Sequence, residues 1–326
     1  IFLGIYSNAL KADLQRLIWF SDNVKETRSS DKPSGTADTN YNVFDGMWRI
    51  LIDDVLDTTI PAAQFVDISS TTYLNTASVK QVDTVTLTGT SGTGNITVNG
   101  VAYLATFTTD LTTSAANFVT SHAATIAASE GGIVVTSSGA GVIFTAGIKG
   151  LGQVVSNNVN ATGNLAGNSV ATTANVAAGS VKTDGALLAL RAMYAAMPNT
   201  LKARKSEAKF MVTASVADNY RTTLETGAHD GAQAKLVDGV EKLFYRGIEV
   251  VEMLDWGQRI DADFDYYPHR LLLTLPKNLM VGVDGEADDM MVESFYDQRE
   301  QLRYWRTEYK LGVEYIHPDF IVLAYA

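Results

Sequence analysis

The residue pattern calls for an α+β fold interrupted by a β-rich insertion. Three observations lead there. Apolar residues recur at helical spacing in two segments of the first 80 residues and in two more after residue 181. Short runs of strand formers then follow one another from residue 210 to the C-terminus. Between residues 81 and 180 charge nearly vanishes, leaving only Asp83, Asp110, Glu130 and Lys149, while 14 of the 26 glycines fall in the same stretch. A composition so different from its flanks marks an inserted unit, and divides the chain into residues 1–80, 81–180 and 181–326.

Each element has a local reason. Leu10, Leu14, Leu17 and Ile18 form an apolar stripe, with Ser7 or Asn8 available as N-cap. Residues 21–40 carry almost no large apolar side chain, include Asp31-Lys32-Pro33-Ser34-Gly35 and read as a mobile or extended arm. A second helix is expected from about Asn42, presenting Phe44, Met47, Trp48, Leu51 and Val55 to a partner.

Inside the insertion, Thr84 to Thr90 alternates Thr with Val or Leu, and Asn99-Gly100 joins Ile96-Thr97-Val98 to Val101-Ala102-Tyr103 as a two-residue hairpin. A helix over residues 112–128 would use Ala116, Val119, Ala123 and Ile126. Ile133-Val134-Val135 and Val142-Ile143-Phe144 supply two more strands. Residues 150–179 fit either extended strands or a poorly ordered return linker.

Beyond the insertion, Asp184 can cap a helix carrying Leu187, Leu190, Tyr194 and Met197 and stopped by Pro198. Ser215 with Asp218 opens another, which Gly227 is placed to end. Strands are expected at 210–212, 248–253, 271–275, 279–283 and 320–325, and the alternation around Arg303 to Lys310 favours a long strand over a helix.

Composition excludes several classes. With 36 acidic and 25 basic residues the net charge is −11, so sequence-specific nucleic-acid recognition is not the expected role. The absence of cysteine removes disulfides, thiolate metal sites and cysteine nucleophiles. No apolar run approaches the length that spans a bilayer, and a soluble protein is expected.

No catalytic constellation emerges. His122, His229, His269 and His317 are isolated from one another and from any nucleophile motif, and read as turn or surface residues. Gly89-Thr90-Ser91-Gly92-Thr93-Gly94 lacks the Lys-Ser/Thr ending of a phosphate loop and precedes a strand, so it reads as a strand connection. Asp261, Asp263 and Asp265 match the start of a calcium loop, but Tyr266 replaces its Gly and Leu272 its bidentate Glu. Asp284, Glu286, Asp288 and Asp289 form a second acidic cluster, read as a solvated loop or a salt-bridge partner across subunits. Arg299, Arg303, Tyr304, Trp305 and Arg306 would suit base stacking, yet Asp297, Glu300 and Glu308 among them favour an interface or sheet surface. No catalytic residue, metal ligand or cofactor site is therefore assigned.

Two motifs do carry a resemblance. Arg16-Leu17-Ile18-Trp19-Phe20-Ser21-Asp22, followed after the polar arm by Tyr41-Asn42-Val43-Phe44-Asp45-Gly46-Met47-Trp48, resembles a pattern of tailed-bacteriophage major capsid proteins of the Hong Kong 97-type fold, especially those of crAss-like phages of Bacteroidota. The helix from Ala186 to Pro198 is similar to the spine helix of that fold. Lys209 to Val212 with Ser215 to Tyr220, Tyr245 to Val250, Leu279 to Asp284 and Leu311 to Val313 resemble its later elements. Ser21 departs from the pattern, in which Gly precedes the Asp. The resemblance covers residues 1–80 and 181–326.

It implies an N-arm, an extended loop, a P-domain with the spine helix and an A-domain, with the β-rich insertion in the extended-loop region. Arg16, Trp19, Phe20, Asp22, Asn42, Asp45, Gly46 and Trp48 would be structural motif residues. The implied role is a non-enzymatic capsid protein, assembled in the host cytoplasm into hexamers and pentamers of an icosahedral virion. Its expected partners are copies of itself, a portal and decoration or cement proteins, and it would enclose double-stranded DNA without binding it specifically and without a membrane. The lysine–asparagine crosslink known in part of this fold group has no assignable residues here. A nanocompartment shell and a phage tail or adhesion protein are the alternative readings.

Overall fold

A computed structural model describes residues 2–21, 44–226, 232–237, 240–260, 267–283, 291–308 and 310–326. In chain order the N-terminal part comprises α1 (Phe2–Phe20), α2 (Met47–Leu56) and β1 (Phe65–Asp67). The middle part has β2 (Val82–Thr88), β3 (Gly92–Val98), β4 (Val101–Thr106), α3 (Leu111–Ser129), β5 (Val134–Ser138), β6 (Gly141–Thr145), β7 (Val159–Gly163) and β8 (Ala166–Thr173). There follow α4 (Gly185–Ala196), α5 (Asn199–Ala203), β9 (Lys209–Thr213), α6 (Ala214–Thr226), β10 (Ala232–Val237), β11 (Val240–Tyr245), β12 (Ile248–Met253) and α7 (Leu254–Arg259). The chain closes with β13 (Arg270–Thr274), β14 (Leu279–Val283), β15 (Met291–Asp297), β16 (Leu302–Glu308), β17 (Leu311–Tyr315) and β18 (Ile321–Tyr325). The fold is mixed α+β.

A seven-stranded sheet in the order β1-β18-β13-β9-β12-β11-β10 forms the main body. The pairs β1–β18 and β9–β12 are parallel and the others antiparallel. Its central strands are buried on both faces. Because successive side chains point to opposite sides of a strand, Leu271 and Leu273 join one core while Leu272 joins another; Val322 and Ala324 split from Ile321 and Leu323 in the same way. α4 and α6 cover the first face through Leu187, Leu190, Met193, Val216 and Tyr220. Phe20 of α1, Trp48 and Leu51 of α2 and Trp256 of α7 cover the second.

β2 to β8 with α3 form a separate core of their own. A four-stranded sheet, β5-β6-β2-β8, and a three-stranded sheet, β4-β3-β7, enclose Val85, Ile96, Phe118, Val142 and Phe144. The expected Asn99-Gly100 hairpin is present, with both residues in the left-handed region at φ 49° and 91°. Residues 150–179 supply the paired strands β7 and β8, so of the two readings it is the extended one that applies.

Several sequence expectations shift. α1 starts at Phe2, which puts Ser7 and Asn8 inside the helix instead of at its cap. α2 begins at Met47 behind an N-cap Gly46, five residues later than Asn42. In α3 the buried positions are Ser114, Ala115, Phe118 and Ile126; Ala116 is exposed, because the helix starts at the Asp110 cap and Phe118, the largest apolar side chain, turns inward. Asp184 sits before α4 with a left-handed φ of 61° and no capping bond from its side chain. Asn219 of α6 accepts from the Ala186 N–H at 3.1 Å in its place. Residues 295–311 hold not one strand but β15 and β16 joined by a turn, then β17. Of the arm expected at residues 21–40, all but the buried Ser21 lies outside the described residues, as do Gly227, His229 and both acidic clusters.

Gly46 is where the second motif meets the first. Its N–H donates to the Ser21 carbonyl at 2.6 Å, and a Cβ there would stand 2.6 Å from the Ser21 nitrogen and 3.0 Å from the Leu17 oxygen. All of these neighbours are backbone, which yields least. Gly46→Ala is therefore expected to destabilise the fold by about 1–3 kcal/mol, read as a lower denaturation midpoint in urea; an unchanged midpoint would show that the α1–α2 junction is not packed this way.

Candidate functional site: an arginine-centred aromatic junction

The two motif segments converge on one place. α1 ends at Phe20, and the next residue, Ser21, is fully buried. Its carbonyl accepts from Gly46 and its hydroxyl from the Phe44 N–H at 3.3 Å. Ser21 thus ties the end of the first motif segment to the second with a side-chain bond that a glycine there could not make.

Behind this tie lies a cluster of indole rings. Trp256 of α7 packs edge to face on Trp19, with centroids 4.8 Å apart, and on Trp48 at 5.0 Å. Such T-shaped pairs set the positive edge of one ring against the negative face of another. Arg270, the first residue of β13, is 1% exposed, and its guanidinium carbon stands 5.3 Å from the Trp48 ring centroid and 5.6 Å from that of Phe20. Burying a charge is costly unless dipoles and π-faces replace water. Here two ring faces and the Tyr267 carbonyl, which accepts from Nε at 2.9 Å, contribute to that replacement.

Tyr267 itself is held at φ 50°, a left-handed conformation rare for an aromatic residue. That backbone turn aims its carbonyl at Arg270. Its ring lies 4.5 Å from Tyr325, which in turn lies 4.6 Å from Phe65. Burial pushes the Tyr267 hydroxyl up to about 12, with the Arg270 charge pulling the other way and Asp67 adding to the rise. Nearby, Tyr315 of β17 donates to Asp54 of α2 at 2.5 Å, and burial with that bond raises its pKa as well.

The motif residues do not share one role. Trp19, Phe20, Gly46 and Trp48 meet at the junction, and Asp45 is half-buried beside Gly46. Arg16 instead pairs along α1 with Asp13 at 3.0 Å. Asp22 and Asn42 lie outside the described residues. Sequence reasoning missed Trp256, Tyr267 and Arg270. One signal was present: an arginine immediately before the apolar run Leu271 to Leu273 must either end the strand at the surface or be buried with partners.

Among the described residues the histidines form no catalytic arrangement. His269 was expected at a turn or surface but is 6% exposed. Its Nε2 donates to the Gly179 carbonyl at 2.9 Å and its Nδ1 stands 2.8 Å from the Ser215 hydroxyl, so it pins the strand returning from β8 onto the main sheet. His122 is half-buried in α3, with Nε2 2.9 Å from the Leu104 carbonyl, and His317 is exposed. In the Gly89 to Gly94 loop, the Asn164 side chain already accepts from the N–H groups of Thr90 and Ser91, the amides a phosphate would need. Among the described residues no group of three His, Asp or Glu side chains could hold a metal, and no helix is long and apolar enough to cross a membrane.

Two outcomes follow from this geometry. Trp256→Ala removes the ring shared by Trp19 and Trp48 and is expected to cost about 3–5 kcal/mol, seen in denaturant unfolding together with loss of near-ultraviolet dichroism; a cost below 1 kcal/mol would contradict the packing. Raised tyrosine pKa values mean stability that is full below pH about 10, the unfolded value, and is lost as pH rises through about 12 for Tyr267. Tyr267→Phe should flatten that alkaline limb in a pH series of melting temperatures, and an unchanged limb would refute the assignment.

Comparison with protein-family models, with curated proteins and with solved structures finds no match to this chain.

Proposed function

We propose that this chain is a structural shell subunit, the major capsid protein of a tailed bacteriophage with the Hong Kong 97-type fold, and not an enzyme. The observation that carries the assembly reading is exposed apolar surface on two ribbons outside the main sheet, beside further exposed apolar side chains such as Val101, Leu104 and Val170 on the smaller body. β15 pairs with β16, and β14 with β17, as separate two-stranded sheets. On the first, Phe295 and Tyr304 stack with centroids 5.3 Å apart while 53% and 37% exposed, and Tyr296 is 55% exposed. On the second, Met280 and Val281 are about half exposed, as is Ile316 just beyond it. Exposed apolar side chains of this kind are surface that a subunit can bury against its neighbours.

The family assignment rests on the ordered motif segments, and it is supported by their meeting at the Ser21–Gly46 tie. In this reading α4 takes the part of the spine helix, the seven-stranded sheet with its two helical layers belongs to the P- and A-domains, and β2 to β8 with α3 form an inserted domain that decorates the shell. The −11 charge keeps the packaged DNA from adhering to the wall. Hexamers and pentamers of the chain, joined by portal and cement proteins, would form the virion.

Negative-stain electron microscopy of the purified chain, alone and co-expressed with its genomic neighbours, tests the reading. Closed shells or hexamer sheets are expected, with nucleic acid inside when taken from an infected host; cargo protein without nucleic acid would identify a nanocompartment instead. A monodisperse monomer under every condition would overturn the shell reading. The double variant Phe295→Asp with Tyr304→Asp should keep the circular dichroism of the parent and fail to assemble.

A further inference from the structure

Between α2 and the smaller body lies a cleft of about 300 Å³, at the lower end of the range for small-molecule sites. Its apolar lining comes from both sides: Ile52 and Leu56 from α2, Ala127 from α3, Val134 from β5 and Ile148 from the loop after β6. Leu56 is 70% and Val134 53% exposed, so part of this lining is wet.

The cleft also has a polar lining. It includes Arg49, Lys80, Arg270 and Asp53, of which Arg49 and Asp53 pair at 2.7 Å. Lys80 is half-buried and, among the described residues, has neither an ion pair nor a hydrogen bond. Burial, then repulsion from Lys149, draws its pKa down, while Lys149 itself is engaged by Asp67 at 2.6 Å. Trp48, also in the lining and 1% exposed, has no acceptor for its indole N–H. An ammonium and an indole N–H only donate, so neither can satisfy the other. Among the described residues no acceptor serves either donor, and an anionic group on an apolar body would suit both them and the apolar lining.

We propose that the cleft binds a small amphipathic carboxylate, its carboxylate on the Lys80 ammonium and its aliphatic chain along Leu56 and Val134. Neutralising a half-buried ammonium and drying two exposed side chains both favour binding. Because α2 supplies part of the lining and α3, β5 and the β6 loop supply the rest, the ligand ties the smaller body to the main one. The inference does not depend on the shell reading.

Octanoate, titrated into the full chain below its micelle concentration, is the probe. Calorimetry and tryptophan fluorescence should show one saturable site, and thermal unfolding should move upward. Octan-1-ol, octylammonium and acetate, which each lack one half of the chemistry, should bind at least about tenfold more weakly. Lys80→Met should weaken octanoate about tenfold without lowering the unliganded melting temperature. Val134→Asp, at an exposed position, should abolish binding through like charge while the fold is retained. Octanoate that fails to saturate, octan-1-ol that binds as tightly, or Lys80→Met and Val134→Asp that both bind like the parent would overturn the proposal.

Discussion

Burial of the central strands on both faces is the constraint on which the rest of the main body depends. β13 and β18 are apolar at every position after Arg270 as far as Leu273 and from Ile321 to Ala324. Such strands are stable only beneath cover on each side. α4 and α6, which flank β9 in sequence, supply one cover locally. The other must come from far away, and so the N-terminal helices cross beneath the sheet and meet α7 there.

That distant cover explains why the aromatic junction exists. Large rings fill the wedge between α1, α2 and α7, and Arg270 enters it because β13 begins inside the layer, before the chain has reached water. The arginine is tolerated where ring faces and a carbonyl can replace its solvent. Its position also explains the left-handed Tyr267: the carbonyl that accepts from Arg270 is available only if the backbone turns there. The strained residue and the buried charge are thus two parts of one local solution.

The smaller body obeys different physics. With four charges in a hundred residues, its stability rests on threonine and valine alternation, tight hairpins and side-chain amides placed against backbone groups, such as Asn164 in the Gly89 loop. Buried Asp83, accepting from Gln81 and Gln153, is satisfied in the same neutral way. Low charge leaves few alternative pairings to exclude, and the register is set by the Asn99-Gly100 turn and by inward-facing Val85, Leu87, Ile96 and Val98.

The sequence by itself determined the mixed α+β class, the hairpin at Asn99-Gly100, the helices of α1, α2, α3, α4 and α6 and most strands of the main sheet, because each is written in a local period or a turn residue. The two motif segments also put Trp19, Phe20, Gly46 and Trp48 among eight residues expected to have a structural role. Only the tertiary structure decided the rest. β1 has three residues and no period of its own, and exists because β18 offers it an edge. The inward face of α3 follows from which side chain best fills the space between two sheets, so Phe118 displaces Ala116. Trp256, Tyr267 and Arg270 complete the junction from more than 200 residues beyond Trp48, where no local pattern refers to it. Periodicity reports which residues are apolar, whereas a junction is made by which of them are brought within van der Waals reach, and that is fixed by the closing of the whole sheet between its two helical layers.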